Sequence, residues 1–171
     1  MEIPDDAALR SLATELGNAL HAQHRMLATA ESCTGGWVAK VLTDIPGSSA
    51  WFDRGFVTYT NQAKQDLLQV PAEILDTQGA VSQQTAEAMA QGGLRHSQAY
   101  FSLAITGIAG PGGSTPEKPV GLVWFSWAKQ QASGEPMIWS THHVFAGDRE
   151  AVRRQAVATA LEGMLGGVGK A

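Results

Sequence analysis

The stretch 29-TAESCTGGW-37 decides the fold, because it joins two apolar segments through small and polar residues. Residues 26–30 predict a short buried strand. Trp37-Val38-Ala39 with Val41-Leu42 predict a helix, which Ile45-Pro46-Gly47 ends. The residues between them therefore form a strand-to-helix turn, with Ser32 near its start and a glycine pair at its end.

The same alternation of strands and helices continues on both sides of this turn. Leucines spaced by three and four behind Asp5-Asp6 predict a first helix that ends before His24. Further strands are predicted over 52–59, 100–106, 120–127 and 137–145, the last two as a hairpin or adjacent pair. Further helices are predicted over 61–69 capped by Thr60, from Pro71 to Gly79, over 83–92 capped by Ser82, and from Asp148 to a frayed tail after Leu165. This order predicts an α/β fold whose sheet is covered on both faces and has an antiparallel portion near its end.

Length and composition fit one domain over residues 1–171. The formal charge of -4 offers no basic field for nucleic acid or an anionic membrane, so we expect neither partner. Cys33 is the only cysteine, which excludes an internal disulfide. The first residues lack the pattern of a signal peptide, and the apolar runs are too short to span a bilayer, so we expect a cytoplasmic protein.

Glycine-bearing turns follow two predicted strands, after Ala30 and after Thr106, and ligands of such sheets bind at strand carboxyl ends. In the first turn, the Ser32 hydroxyl can project into a cleft. The N–H groups of Cys33, Thr34 and Gly35 would be free there, to form either an oxyanion hole or a phosphate site. The alternative is a plain helix-capping serine with glycines for a close turn.

The segment 58-TYTNQAK-64 suggests a base for Ser32. If Thr60 is the N-cap, Tyr59 and Lys64 occupy the two positions that pack together in a hydrophobic staple. The helix start and partial burial would both lower the Lys64 pKa, so the lysine can act as general base and the phenol can relay or donate a proton. The alternative is a surface lysine lying over a tyrosine.

Other residues offer rival chemistry. Cys33 is a second candidate nucleophile, because a helix N-terminus would lower its pKa. The loop 106-TGIAGPGG-113 can approach a ligand through its backbone or be a simple turn. Arg149 and Arg153 share a helix face that can hold a phosphate or face solvent. A serine–histidine–aspartate arrangement is weakly indicated, and no residue cluster has zinc-ligand spacing, so neither a metal nor a cofactor is expected.

Ordered sequence blocks from about Leu12 to Leu165 resemble the CinA carboxy-terminal domain family. The blocks are AESCTGG at 30–36, GSSAWF at 47–52, Tyr59 with Lys64, GAVS at 79–82, TGIAGPGG at 106–113, KPVG at 118–121 and GDR at 147–149. The resemblance implies a three-layer α/β/α sandwich with a mixed, mostly parallel sheet, similar to the anticodon-binding-like fold. It also implies a homodimer.

Several stand-alone members of that family are nicotinamide-nucleotide amidases, which implies hydrolysis of nicotinamide mononucleotide to nicotinic acid mononucleotide and ammonia in pyridine nucleotide salvage. The family's nucleophile falls on Ser32, and its tyrosine and lysine fall on Tyr59 and Lys64. The resemblance places substrate contacts at Gly47, Ser48, Thr106, Gly107, Ala109, Gly110 and Arg149. Two alternatives stay open: a nucleotide-binding module without catalysis, and an amidase that uses Cys33.

Overall fold

The computed structural model describes residues 3–169, which form a five-stranded mixed sheet. The strands are β1 Leu27–Glu31, β2 Phe52–Val57, β3 Phe101–Gly107, β4 Leu122–Lys129 and β5 Met137–Val144, in the order β2-β1-β3-β4-β5. β1 is parallel to both β2 and β3, whereas β3–β4 and β4–β5 are antiparallel. Four strands thus share one direction and β4 opposes them, which confirms the mixed sheet and its late antiparallel portion.

Helices cover both faces of the sheet, as predicted. They are α1 Asp6–Ala22, α2 Trp37–Thr43, α3 Asn61–Leu68, α4 Ala72–Gln78, α5 Gln83–Arg95 and α6 Arg149–Val168. One apolar core lies between the sheet and α1, α2 and α6, where side chains such as Leu16, Val38 and Val152 meet Leu103 and Phe125. A smaller core lies on the opposite face under α3, α4 and α5. Three layers result because successive strand residues point to opposite faces.

The predicted N-caps Thr60 and Ser82 are both confirmed. The Thr60 hydroxyl accepts a hydrogen bond from the Ala63 N–H at 3.1 Å, and that of Ser82 accepts one from Thr85 N–H at 3.2 Å. Each cap satisfies a backbone donor that the first helical turn leaves unpaired. The cap at Thr60 matters for function, because it fixes where α3 begins and so where Lys64 points.

The end of α6 differs from the prediction of a frayed tail after Leu165. The helix continues to Val168, and its glycines hold it against the sheet. A Cβ at Gly163 would lie 2.0 Å from the Trp127 indole, and one at Gly167 would lie 2.2 Å from the Trp139 indole. Glycine therefore serves close packing here.

In residues 3–169, no helix has the length and apolar character needed to cross a bilayer.

Candidate active site

The carboxyl ends of β1 and β3 open onto one cavity of about 210 Å³. Ser32 directly follows β1, Lys64 comes from α3, and Thr106 lies near the end of β3. The complete lining is Ser32, Cys33, Tyr59, Asn61, Lys64, Ala80, Val81, Thr106, Gly107, Ala109 and Arg149. Among the residues that the structure describes, histidine is absent from this lining, which removes the serine–histidine–aspartate alternative. The structure thus brings together the predicted serine, tyrosine and lysine with part of the predicted glycine loop.

Lys64 is the central residue of this cavity. Its side chain is only 1% exposed, and its Nζ atom lies 3.0 Å from Ser32 Oγ. The same Nζ donates a hydrogen bond to the carbonyl oxygen of Thr58 at 2.9 Å, which orients the amine. Burial lowers the pKa of Lys64 below its usual range, because the charged form loses its hydration. A neutral amine placed this way can accept the Ser32 proton while it still donates to Thr58.

Backbone hydrogen bonds hold the two partners in place. The Ser32 N–H donates to the Ile105 carbonyl of β3 at 3.0 Å, which ties the serine to the central part of the sheet. Thr58 donates its N–H to the Glu31 carbonyl at 2.7 Å, so the lysine's carbonyl partner is attached to β1. The serine–lysine distance is therefore set by strand pairing rather than by flexible loops.

Tyr59 lines the same cavity as Lys64. The two residues have no hydrogen bond within the described chain, and the Tyr59 side chain is 57% exposed. Its hydroxyl accepts a hydrogen bond from Arg149 at 2.7 Å, and the other Arg149 nitrogen donates to the Gly110 carbonyl at 2.7 Å. Within the described residues, the Lys64 amine is therefore bonded directly to Ser32, whereas the Tyr59 phenol is bonded to Arg149.

The turn after β1 leaves fewer free N–H groups than predicted. Gly35 donates its N–H to the Ser32 carbonyl at 3.0 Å, which closes a β-turn, so the prediction of a free Gly35 donor is wrong. The N–H groups of the two central residues, Cys33 and Thr34, are not used by such a turn. Neither N–H donates to a backbone carbonyl among residues 3–169. These two groups remain candidates for an oxyanion hole, Cys33 as a residue of the cavity lining and Thr34 as its fully buried neighbour.

A buried glutamate that sequence reasoning missed occupies the start of α2. Glu31 is fully buried, and its carboxylate accepts hydrogen bonds from the N–H groups of Val38 at 2.9 Å and Ala39 at 3.0 Å. The chain's own anion therefore lies at the positive end of this helix. A phosphate site at the helix start, one of the two alternatives left open, is thus disfavoured. The signal in the sequence was a charged residue at the end of an apolar strand.

Cys33 is a weak nucleophile in this environment. Its side chain is 6% exposed, and burial raises the pKa of its thiol to about 12. The expectation that the turn would lower this pKa is wrong, because loss of hydration outweighs the backbone hydrogen bonding and nearby cations that favour the thiolate.

Gly47 and Ser48, expected to contact substrate, lie away from this cavity within the chain. They precede β2, and the starts and ends of parallel strands lie at opposite edges of the sheet. Gly47 lines a different cavity with Trp51 and residues of α1. In contrast, Asn61, Ala80 and Val81 line the serine–lysine cavity. They lie within the segments TYTNQAK at 58–64 and GAVS at 79–82, but no site role was predicted for them. Asn61 could have been found as the first residue of the helix that carries Lys64.

Fold and site together define an α/β protein with a buried serine–lysine pair, an arrangement that acyl-transfer enzymes use as nucleophile and base. The chain belongs to the CinA C-terminal domain family, whose model matches residues 9–167. It is 53% identical over 157 residues to the nicotinamide-nucleotide amidohydrolase PncC of Shigella flexneri, which covers 92% of this chain and 93% of that protein. The Pseudomonas putida protein of the same name is 47% identical over 157 residues, covering 92% of this chain and 95% of that protein.

Solved structures agree with this assignment. The competence/damage inducible protein CihA of Agrobacterium tumefaciens superposes with a TM-score of 0.87 at 46% identity and covers 99% of each chain. A CinA superfamily protein of Klebsiella pneumoniae superposes with a TM-score of 0.89 at 37% identity, covering 95% of this chain and 99% of that one. Such similarity over nearly the whole length confirms the predicted fold class.

Proposed function

We propose that this chain hydrolyses the carboxamide of nicotinamide mononucleotide, which releases ammonia and leaves nicotinic acid mononucleotide. The single observation that carries the proposal is the 3.0 Å distance between Lys64 Nζ and Ser32 Oγ inside a cavity. The amidohydrolase relatives supply the substrate class.

The first half of the reaction forms an acyl-enzyme. Neutral Lys64 accepts the Ser32 proton as Ser32 Oγ attacks the carboxamide carbon. The N–H groups of Cys33 and Thr34 then stabilise the developing oxyanion. Loss of one such donor typically raises the barrier by about 3 kcal/mol. As the tetrahedral intermediate collapses, the carbon–nitrogen bond breaks and ammonia leaves with a proton.

Lys64 and Tyr59 are the two donors available for that departing proton. Lys64 holds the proton that it took from Ser32, whereas Tyr59 lies at the exposed rim with its oxygen bound by Arg149. In the second half, water attacks the acyl ester, Lys64 accepts the water proton, and Ser32 regains its own. No cofactor is consumed, because the reaction is a hydrolysis.

Binding of the nucleotide is assigned to the rim and the β3 loop. Thr106, Gly107 and Ala109 line the cavity, and Arg149 reaches it from the start of α6, so the phosphate can lie against this arginine. Thr106 donates its hydroxyl to the Ala80 carbonyl at 2.6 Å, which fixes the wall that faces the substrate.

Ammonia release from nicotinamide mononucleotide, compared with nicotinamide and its riboside, tests the proposal. The wild-type chain should release ammonia from the mononucleotide, and Ser32→Ala should release none while its melting temperature stays within a few degrees. A fully active Ser32→Ala variant would refute the assignment of the nucleophile. Calorimetric binding of the mononucleotide without ammonia over hours would instead support the non-catalytic binding module.

The assembly and cellular role are further parts of this proposal. We propose that the product enters pyridine nucleotide salvage and that the chain acts in the cytoplasm. A homodimer is expected, and light scattering measures it directly; a monomer at micromolar concentration contradicts this expectation.

A further inference from the structure

Arg153 of α6 is hydrogen-bonded to the turn that follows Ser32. Its Nε donates to the Cys33 carbonyl at 3.0 Å and its Nη2 donates to the Thr34 carbonyl at 2.9 Å. The two partners are adjacent in the turn but lie far from Arg153 in the sequence. Arg153 is not part of the cavity lining, so its contact is with the backbone of the turn. The sequence had suggested a phosphate contact for this residue; unlike Arg149, however, it does not line the cavity, and two of its nitrogen atoms donate hydrogen bonds to backbone carbonyl oxygens.

Because peptide groups are planar, these two hydrogen bonds of Arg153 also affect the oxyanion site. The Cys33 carbonyl and the Thr34 N–H belong to one planar trans peptide, in which the two groups point in opposite directions. An arginine that fixes the carbonyl therefore fixes the direction of the N–H. Its second bond, to the Thr34 carbonyl, holds the next peptide, whose Gly35 N–H closes the turn onto Ser32.

Charge adds to this geometry. The guanidinium of arginine is always protonated, and its fork binds two acceptors at once. A permanent cation at the carbonyl end of a peptide polarises that peptide, so its N–H becomes a better donor. Only a rigid donor aimed at the developing charge lowers a barrier without reorganisation.

We propose that Arg153 is a positioning residue for amide hydrolysis, which orients and polarises the Thr34 N–H of the oxyanion site through the Cys33 and Thr34 carbonyls. This inference rests on the proposed function. It concerns the transition state alone, because Arg153 touches the turn and not the cavity.

The neighbouring arginine provides a matched control. Arg154 lies on the same helix, and both guanidinium groups lie over the Trp37 ring, at 5.2 Å for Arg153 and 5.0 Å for Arg154. However, Arg154 pairs with the side chains of Asp6 and Glu150, with no bond to the serine turn. Substitution of either residue removes one cation and one ring contact. Only substitution of Arg153 removes hydrogen bonds to the serine turn, whereas substitution of Arg154 breaks its pairs with Asp6 and Glu150.

The test compares Arg153→Ala, Arg153→Lys and Arg154→Ala in steady-state hydrolysis of nicotinamide mononucleotide. We expect kcat of Arg153→Ala to fall about 10- to 100-fold, below the loss from deleting a donor outright, with KM changed less than about 3-fold. The kcat of Arg153→Lys should lie between those of the wild type and Arg153→Ala, since one ammonium group cannot reproduce the two-pronged hydrogen bonding of a guanidinium. Arg154→Ala should retain the wild-type kcat.

Two further measurements separate positioning from general stability. Added guanidinium chloride at millimolar concentration should partly restore kcat of Arg153→Ala and leave Arg154→Ala unchanged. The pH at which kcat rises should stay the same in Arg153→Lys, because burial sets the Lys64 pKa. If Arg153→Ala does not fold, Arg153→Lys carries the comparison through its kcat and melting temperature.

The outcomes are distinguishable. If the wild-type chain is active and a folded Arg153 variant has the same kcat, the inference about Arg153 is refuted and the proposed function is not. An increase in KM without a fall in kcat also refutes the inference, since that indicates a substrate contact. An inactive wild-type chain refutes the proposed function, and the inference that rests on it falls with it.

Discussion

Replacing Lys64 with methionine removes the buried amine and keeps a side chain of similar length. We expect kcat for nicotinamide mononucleotide to fall about 10²- to 10⁴-fold, the usual contribution of a general base. Ser32 and the carbonyl of Thr58 lose their partner, and an unpaired buried group costs about 1–3 kcal/mol of unfolding free energy. This cost in unfolding free energy does not depend on pH, whereas the contribution from protonation of the Lys64 amine does.

The direction of the pH effect follows from burial, which lowers the pKa of Lys64 in the folded chain. Between this lowered pKa and the unfolded value near 10.4, the unfolded chain binds a proton that the folded chain does not. The unfolding free energy of the wild type therefore rises by about 1.4 kcal/mol per pH unit within this window. This increment is fully present above about pH 10.4 and is lost as the pH falls through the window. The methionine variant lacks this increment.

Urea unfolding of both proteins from pH 6 to 10.5 measures the difference in their unfolding free energies. Groups common to both proteins cancel, and Lys40→Met, which removes a lysine whose side chain is 65% exposed, is the matched control for the loss of one lysine. The acid limb of wild-type kcat/KM should rise near the pH where the stability difference begins to change, because both report the Lys64 pKa of the free enzyme. Parallel stability curves for wild type and Lys64→Met would refute the reasoning.

Three other expectations follow from single contacts. Cys33→Ala should keep most activity, and native Cys33 should react with iodoacetamide far more slowly than in urea, because burial raises its pKa to about 12; rapid inactivation by the reagent contradicts this. Arg149→Met should lower kcat/KM for the mononucleotide about 10- to 100-fold, with a smaller loss for the riboside, in ammonia-release assays. Gly163→Ala should destabilise the fold by about 1–3 kcal/mol in urea, since its Cβ would lie 2.0 Å from Trp127, whereas Gly166→Ala meets open space and should be neutral or stabilising.

Much of the fold was predictable because its signals are local. The caps at Thr60 and Ser82, the leucine spacing of α1 and the glycine turn after β1 each depend on neighbours a few residues away. The tail of α6 was mispredicted because its glycines are stabilised by Trp127 and Trp139, which are remote in sequence. A glycine that breaks an isolated helix can hold a helix against a sheet.

The same distinction applies to the site. The sequence by itself determined the alternation of strands and helices, the family, and the identity of Ser32 and Lys64 as a candidate pair. Only the tertiary structure decided that Lys64 Nζ is hydrogen-bonded to Ser32, that Glu31 occupies the start of α2, and that Arg153 donates hydrogen bonds to the turn. The physical reason is that hydration and hydrogen-bond partners depend on which distant segments pack together, so burial and the resulting pKa shifts are properties of the assembled fold.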